Sequence, residues 1–227
     1  CFSREAYEFI DYLKKAGQSY RQILPLGPTS YGDSPYQSFS TFAGNPYFIS
    51  LEDLIEEGVL TREECAQADP EVQEDSIDYA KLYEERYPLL RLAYERSDIS
   101  KNADFVRFCK ENDWWLSDYA LFMAVKARFG GKAWTKWAQD IRLRWGNALD
   151  YYRRVLYFDI EFHKYLQFTF FKQWSRLKAY ANRQGIRIIG DIPIYVAMDS
   201  ADAWANPSLF QLDENNRPLA VAGCPPD

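Results

Sequence analysis

Asp191 directly follows the apolar run "IRIIG", so a strand ending there would deliver its carboxylate at the strand's carboxyl end. In open α/β sheets and barrels that rim binds ligands and holds reacting groups. Asp is also common in turns for local hydrogen-bonding reasons, and a turn or cap acid is the plain alternative here. A second candidate is "SYGDSPYQSFSTFAGNPYF", residues 30 to 48. Connections of that length are usually functional or disordered. Tyr31, Tyr36, Phe39, Phe42 and Tyr47 give this one apolar area to pack, and its Gly, Pro, Ser and Asn residues supply turns, so a shaped loop is expected. A structural cover over a barrel mouth is its alternative reading. Tyrosine rings beside an acid, with few cations, suit a neutral, hydroxyl-rich ligand such as a sugar. The C–H face of a pyranose lies on an aromatic ring, and a carboxylate accepts its hydroxyls. Glycosidic chemistry needs two carboxyl groups flanking the bond, and the sequence offers no convincing pair.

The remaining chemistry-bearing residues read as structure. Asp199 or Ser200 fits the cap of a short helix in "DSADAW", with Asp202 near its positive end. His163 lies on an aromatic helical stripe, Phe162, Leu166, Phe170, Trp174 and Leu177, which is ordinary core; the histidine itself is expected at the surface or behind a site, without chemistry. The neighbouring acids Glu56, Glu57, Glu63 and Glu64 point apart on polar helix faces and read as solvated. One histidine in the whole chain rules against HExxH zinc sites and most histidine triads, and no GxGxxG or GxxxxGK[ST] cradle is present, which disfavours a nucleotide-binding protein. The 27 basic and 33 acidic residues are scattered, without a Lys/Arg run, so nucleic acid is not an expected partner. No apolar stretch approaches the roughly 20 residues of a membrane span. Four widely spaced cysteines, Cys1, Cys65, Cys109 and Cys224, suit a reducing, cytoplasmic setting.

Two units of like grammar position the candidates. "SREAYEFIDYLKKAG" places Ala6, Phe9, Ile10 and Leu13 on one helical stripe, with Ser3 as cap and Gly17 as stop, and "YRQILPLGP" then suits a buried strand emptying into the long loop. "WSRLKAYANRQG", "IRIIG" and "DIPIYVAMDSADAW" repeat the order of helix, Gly185 stop, strand and exit loop. Both have the grammar of parallel βα architecture. Residues 49–160 are dominated by helix signals, including capping boxes at Ser50/Asp53 and Thr61/Glu64 and a Gly58 stop, while Pro88 is expected to start or kink a helix. The expected organisation is a barrel start over residues 1–48, a helical insertion over 49–160 and a barrel continuation over 161–227. A chain that begins without Met and stops at "AGCPPD" is expected to be a piece of something longer.

Three stretches, "QILPLGPTSYGDSPYQSFSTFAGNPYFISLEDL", "DWWLSDYALFMAVK" and "RIIGDIPIYVAMDSADAWANPSLFQLDENNRPLAVAGCPPD", resemble the 4-α-glucanotransferases of glycoside hydrolase family 77, the amylomaltases or disproportionating enzymes, in order over the whole chain. The resemblance implies an α/β fold, a (β/α)₈ TIM barrel of the α-amylase clan with helical insertions, only the first strands of which lie in this chain. It implies transfer of α-1,4-glucan segments between maltodextrins by a retaining double displacement, with an Asp nucleophile and a Glu acid/base and with no metal or organic cofactor. Both carboxylates lie in family motifs downstream of this region, so residues 1–227 are expected to be inactive by themselves.

Carried over by matching motif, Tyr36 of "SPYQ" corresponds to a donor-side tyrosine near the cleaved bond, with Ser34 a weaker neighbouring contact. Asp191 of "GDIPIYV" corresponds to the acid after the third barrel strand. Tyr31 of "SYGD" corresponds to an aromatic of a secondary glucan site, and Asp227 ends what looks like the start of an acceptor-side loop. A non-catalytic α-glucan-binding module is the alternative function, since the loop is present and the catalytic carboxylates are not.

Overall fold

The computed structural model describes residues 1–29, 34–67 and 78–220. Along them run α1 (Arg4–Lys15), β1 (Tyr20–Gln22), α2 (Leu51–Glu56), α3 (Arg62–Gln67), α4 (Tyr79–Arg96), α5 (Ala103–Glu111), α6 (Asp113–Arg128), α7 (Gln139–Arg142), α8 (Gly146–Val155), α9 (Tyr157–Arg183), β2 (Arg187–Ile189) and α10 (Ala201–Ala205). No helix among the described residues is long and apolar enough to cross a membrane. The chain forms two units, one of residues 1–24, 44–110 and 165–191, the other of residues 25–43, 111–164 and 192–227.

In the first unit β1 and β2 pair in parallel, Tyr20 opposite Arg187 and Gln22 opposite Ile189, and the Ile23 N–H extends the ladder to the Ile189 carbonyl at 3.0 Å. The parallel grammar read from the sequence is therefore real for this pair. The strands are shorter than the apolar runs suggested, and β1 is not buried as expected: Tyr20 and Gln22 are exposed, as are Leu24 just beyond it and Ile189 of β2. Helices α1, α2 and α9 each end on a glycine with positive φ, Gly17, Gly58 and Gly185. In each case the following N–H reaches back five residues to a carbonyl, for example Val59 to Leu54 at 3.1 Å, which satisfies groups the helix end leaves open. Ser3 occupies the cap position of α1, but its hydroxyl donates to the Glu5 carboxylate rather than capping the backbone. On the α1 stripe Ile10 is buried while Phe9 is exposed, its ring under the Arg21 guanidinium at 4.8 Å.

The long helix α9 provides the wall on which this unit is assembled. Gln167 and Gln173, both buried, each offer an amide that pairs with one backbone residue as a strand would. Gln167 accepts from the Gly44 N–H (2.7 Å) and donates to its carbonyl (2.9 Å); Gln173 does the same for Ser50 (2.7 and 3.2 Å). Phe170, between them, packs so closely that a Cβ on Gly44 would lie 2.1 Å from its ring. Helix α4 does not start at Pro88 but continues through it. Proline forfeits one backbone hydrogen bond there, and the burial of Leu89, Leu90 and Ala93 on the next turn offsets the loss. The Thr61/Glu64 capping box is complete, with the Thr61 N–H on Glu64 (2.9 Å) and the Glu64 N–H on Thr61 (3.3 Å), and Arg96 grips the same carboxylate with two nitrogens at 2.8 and 2.9 Å. At Ser50 only half a box forms, because Gln173 takes the Ser50 N–H and Asp53 pairs with Arg176.

The second unit has an aromatic centre. Phe122 of α6 meets Trp137 and Trp204 with ring centres 5.3 and 5.9 Å apart, and Trp204 donates its indole N–H to the Ile141 carbonyl at 3.1 Å. Such pairs add specific geometry to their area burial. His163 in this unit is only 7% exposed and lies against Phe162, so it is a buried residue and not a surface one.

Two measurements check these assignments. Gly44→Ala is expected to lower stability by about 3 kcal/mol or more in urea unfolding, because the clash is with a packed ring, whereas Gly58→Ala, open in space but left-handed in backbone, loses about 1–2 kcal/mol. The Arg96 and Thr61 hydrogen bonds hold the Glu64 carboxyl at about 2, against 4.5 when unfolded. Its contribution is thus complete above pH 4.5 and disappears as pH falls towards 2, and Glu64→Gln is expected to flatten that limb of an acid-unfolding curve.

Candidate functional site

The loop that carries Tyr36 lies in the second unit and is shaped by its own serines. The Ser38 hydroxyl lies 2.8 Å from the Pro28 carbonyl and 2.7 Å from the Ser40 carbonyl, and the Phe39 N–H reaches the Pro28 carbonyl at 3.3 Å. Gly27 is required at this closure, since a Cβ there would stand 2.7 Å from the Ser38 hydroxyl. The Ser40 hydroxyl in turn accepts from the N–H groups of Phe42 and Ala43. Within this frame Tyr36 is 44% exposed, and its N–H meets the Ser34 hydroxyl at 3.3 Å. Ser34 and Tyr36 are thus brought together at the crest of a pinned loop.

The pins come from residues 199 to 202. Thr41 donates both its N–H (2.6 Å) and its hydroxyl (2.9 Å) to Asp202, and the Ala201 N–H bonds the Phe39 carbonyl at 2.8 Å. Asp199 holds the Lys126 ammonium at 2.6 Å and accepts the Trp134 N–H at 3.2 Å. That ammonium is buried and sits 4.9 Å from the centre of the Phe39 ring, so the loop's aromatic lies over a paired cation. Ser200 caps α10 by accepting the Ala203 N–H, as expected. Asp199 and Asp202 do more than the turn chemistry read from the sequence: each carboxylate fastens another segment. The signal that could have flagged them is two acids flanking a capping serine immediately after the exit loop of β2.

Asp191 lies in the first unit, half-buried, two residues beyond β2 and so at the strand's carboxyl end. Tyr31 and Asp227 lie outside the described residues. The acid pairs are exposed as expected at Glu56, Glu57 and Glu63, but Glu57 binds Lys172 at 2.7 Å and Glu64 binds Arg96. Among the described residues no three His, Cys, Asp or Glu side chains cluster as metal ligands would. A cavity of about 400 Å³ in the first unit, lined by Ser97, Asn102, Thr169 and the Glu57–Lys172 pair, has its charges already joined to each other. Its Tyr165 phenol is pushed up to about 12 by burial, which keeps it protonated at neutral pH.

The aromatic loop thus carries the Ser34 hydroxyl at its crest and is held at its base by the Asp199 and Asp202 carboxylates. The family model described as 4-alpha-glucanotransferase matches residues 1–227, and the chain belongs to that family, glycoside hydrolase family 77. It is 48% identical over 227 residues to a 4-alpha-glucanotransferase of Clostridium butyricum, covering 100% of this chain and 47% of that protein. It is likewise 48% identical to one from Thermus thermophilus, covering 99% of this chain and 45% of that one. Among solved structures, an amylomaltase from Streptococcus agalactiae in complex with acarbose superposes with a TM-score of 0.94 at 44% identity, over 100% of this chain and 46% of that one. The chain therefore spans about half the length of the relatives it matches.

One variant pair tests the pin beneath the loop. Asp199→Ala leaves a buried ammonium unpaired and is expected to lower stability by about 2–3 kcal/mol, below the 3–5 kcal/mol of a fully buried pair because the Asp199 carboxylate is about one-third exposed. Lys126→Met with Asp199→Ala is expected to recover most of that loss in chemical denaturation.

Proposed function

We propose that this chain supplies the substrate loop and part of the barrel of a 4-alpha-glucanotransferase that moves α-1,4-glucan segments between maltodextrins. The observation that carries the reading is the 48% identity to a 4-alpha-glucanotransferase across the entire chain. The acarbose complex of the S. agalactiae relative supports a carbohydrate ligand. In this reading residues 1–48 and 161–227 belong to a (β/α)₈ barrel and residues 49–160 to a helical insertion. The location is cytoplasmic, in keeping with the sparse cysteines.

The roles follow from chemistry and placement. Tyr36, two-fifths exposed on a loop fixed from below, offers an aromatic face to a glucose ring near the cleaved bond, with Ser34 beside it as a hydroxyl contact. Asp191, at a strand's carboxyl end, accepts sugar hydroxyls. Tyr31 contributes to a secondary glucan contact and Asp227 to the acceptor side. Bond exchange in a retaining transfer needs a carboxylate nucleophile and a carboxylic acid about 5 Å apart. Both are assigned to parts of the enzyme beyond residues 1–227, and the part present here binds and orients. The pinned loop favours that work, because a ring held in place before substrate arrives loses little freedom on binding.

Incubation of the complete protein with maltotriose is expected to yield glucose together with longer oligosaccharides, and hydrolysis products alone would sink the reading. In the same assay Tyr36→Ala is expected to lower kcat/KM by about tenfold or more.

A further inference from the structure

We propose that the hollow beside Trp114 in the second unit is an additional sugar-binding platform, separate from the crest that carries Tyr36. Two consecutive tryptophans open α6, and they are treated in opposite ways. Trp115 is buried and its indole N–H meets the Asn112 side chain at 3.1 Å. Trp114 is 67% exposed, and its indole N–H has no hydrogen-bond partner among the described residues. Its ring is supported on one side, edge-on to Phe42 with centres 4.6 Å apart. A large exposed ring braced by a neighbour, with an unused donor, offers a stacking surface to an apolar face.

The surroundings select what that face belongs to. Trp114 and Phe42 line a cavity of about 240 Å³ with Asp118, Asp202, Asn206 and Leu209. Drug-sized ligands occupy roughly 300–1,000 Å³, so the space suits one ring of a chain. Asp118 stands one helical turn beyond Trp114, on the same face of α6. Arg144 holds one of its oxygens at 2.7 Å, and Arg144 is itself fixed, with φ of 56° and its guanidinium 4.3 Å from the centre of the Trp204 ring. Thr41 engages one oxygen of Asp202. The other oxygen of each acid has no partner among the described residues. Two oriented carboxylate oxygens and an amide around a fixed indole accept hydroxyls and repel anions, so the ligand class is a neutral pyranose, and a glucose unit of an α-glucan follows if the glucanotransferase reading above holds.

The test uses the complete protein labelled with ¹⁵N at its indoles, with the Trp114 signal identified by its loss in Trp114→Phe. Titration with maltotetraose is expected to move that signal saturably, and Asp118→Asn is expected to raise the midpoint about tenfold through loss of a charge-assisted hydrogen bond. A Trp114 signal that stays still through about 20 mM sugar, where even a millimolar site fills, overturns the platform, as does an unchanged midpoint in a folded Asp118→Asn protein. Transfer from maltotriose, assayed on the same wild-type sample, separates the two readings. Transfer without movement at Trp114 overturns the platform alone, and saturable movement without transfer overturns the glucanotransferase reading alone.

Discussion

Two buried glutamine amides on α9 constrain the first unit. An amide inside a protein is costly unless its donor and acceptor are both used, and Gln167 and Gln173 can use theirs only by taking up the backbone of Gly44 and Ser50. Six positions apart on the helix, they fix both ends of the seven-residue segment from Gly44 to Ser50. Phe170 fills the interval so tightly that position 44 tolerates no side chain. The segment from Gly44 to Ser50 therefore has one available course, set by the helix.

In the second unit the organising stretch is far shorter. Residues 198 to 204 receive the Trp134 indole, bind Lys126, cap α10, meet the Phe39 carbonyl, fasten Thr41 and send Trp204 into the aromatic centre. Almost every polar atom there has a task, which explains two acids beside a buried serine. A surface turn would not need them.

Local rules made much of this legible in the sequence. The glycine stops at 17, 58 and 185, the Thr61/Glu64 box, the Ser200 cap and the parallel strand pair follow from short-range chemistry, and so appear in the order of residues alone. What escaped depends on partners distant in the chain. Gln167 and Gln173 look like polar interruptions of an apolar stripe until Gly44 and Ser50 are beside them. Asp199 and Asp202 look like turn acids until Lys126 and Thr41 arrive. Pro88 reads as the start or kink of a helix until the buried leucines behind it are counted. His163, expected at the surface or behind a site, is buried because the helix carries apolar residues on more than one face. The exposed setting of Trp114 beside a buried Trp115 could not be read from two adjacent identical letters.

The tie between Thr41 and Asp202 joins positions 161 residues apart in the chain. Together with the Phe39–Ala201 backbone bond and the Lys126–Asp199 pair, it makes the aromatic loop and the distant α10 entrance a single mechanical part. Anyone grafting this loop between relatives would need to transplant both pieces, since a loop moved without its remote anchor would arrive with the right letters and the wrong shape.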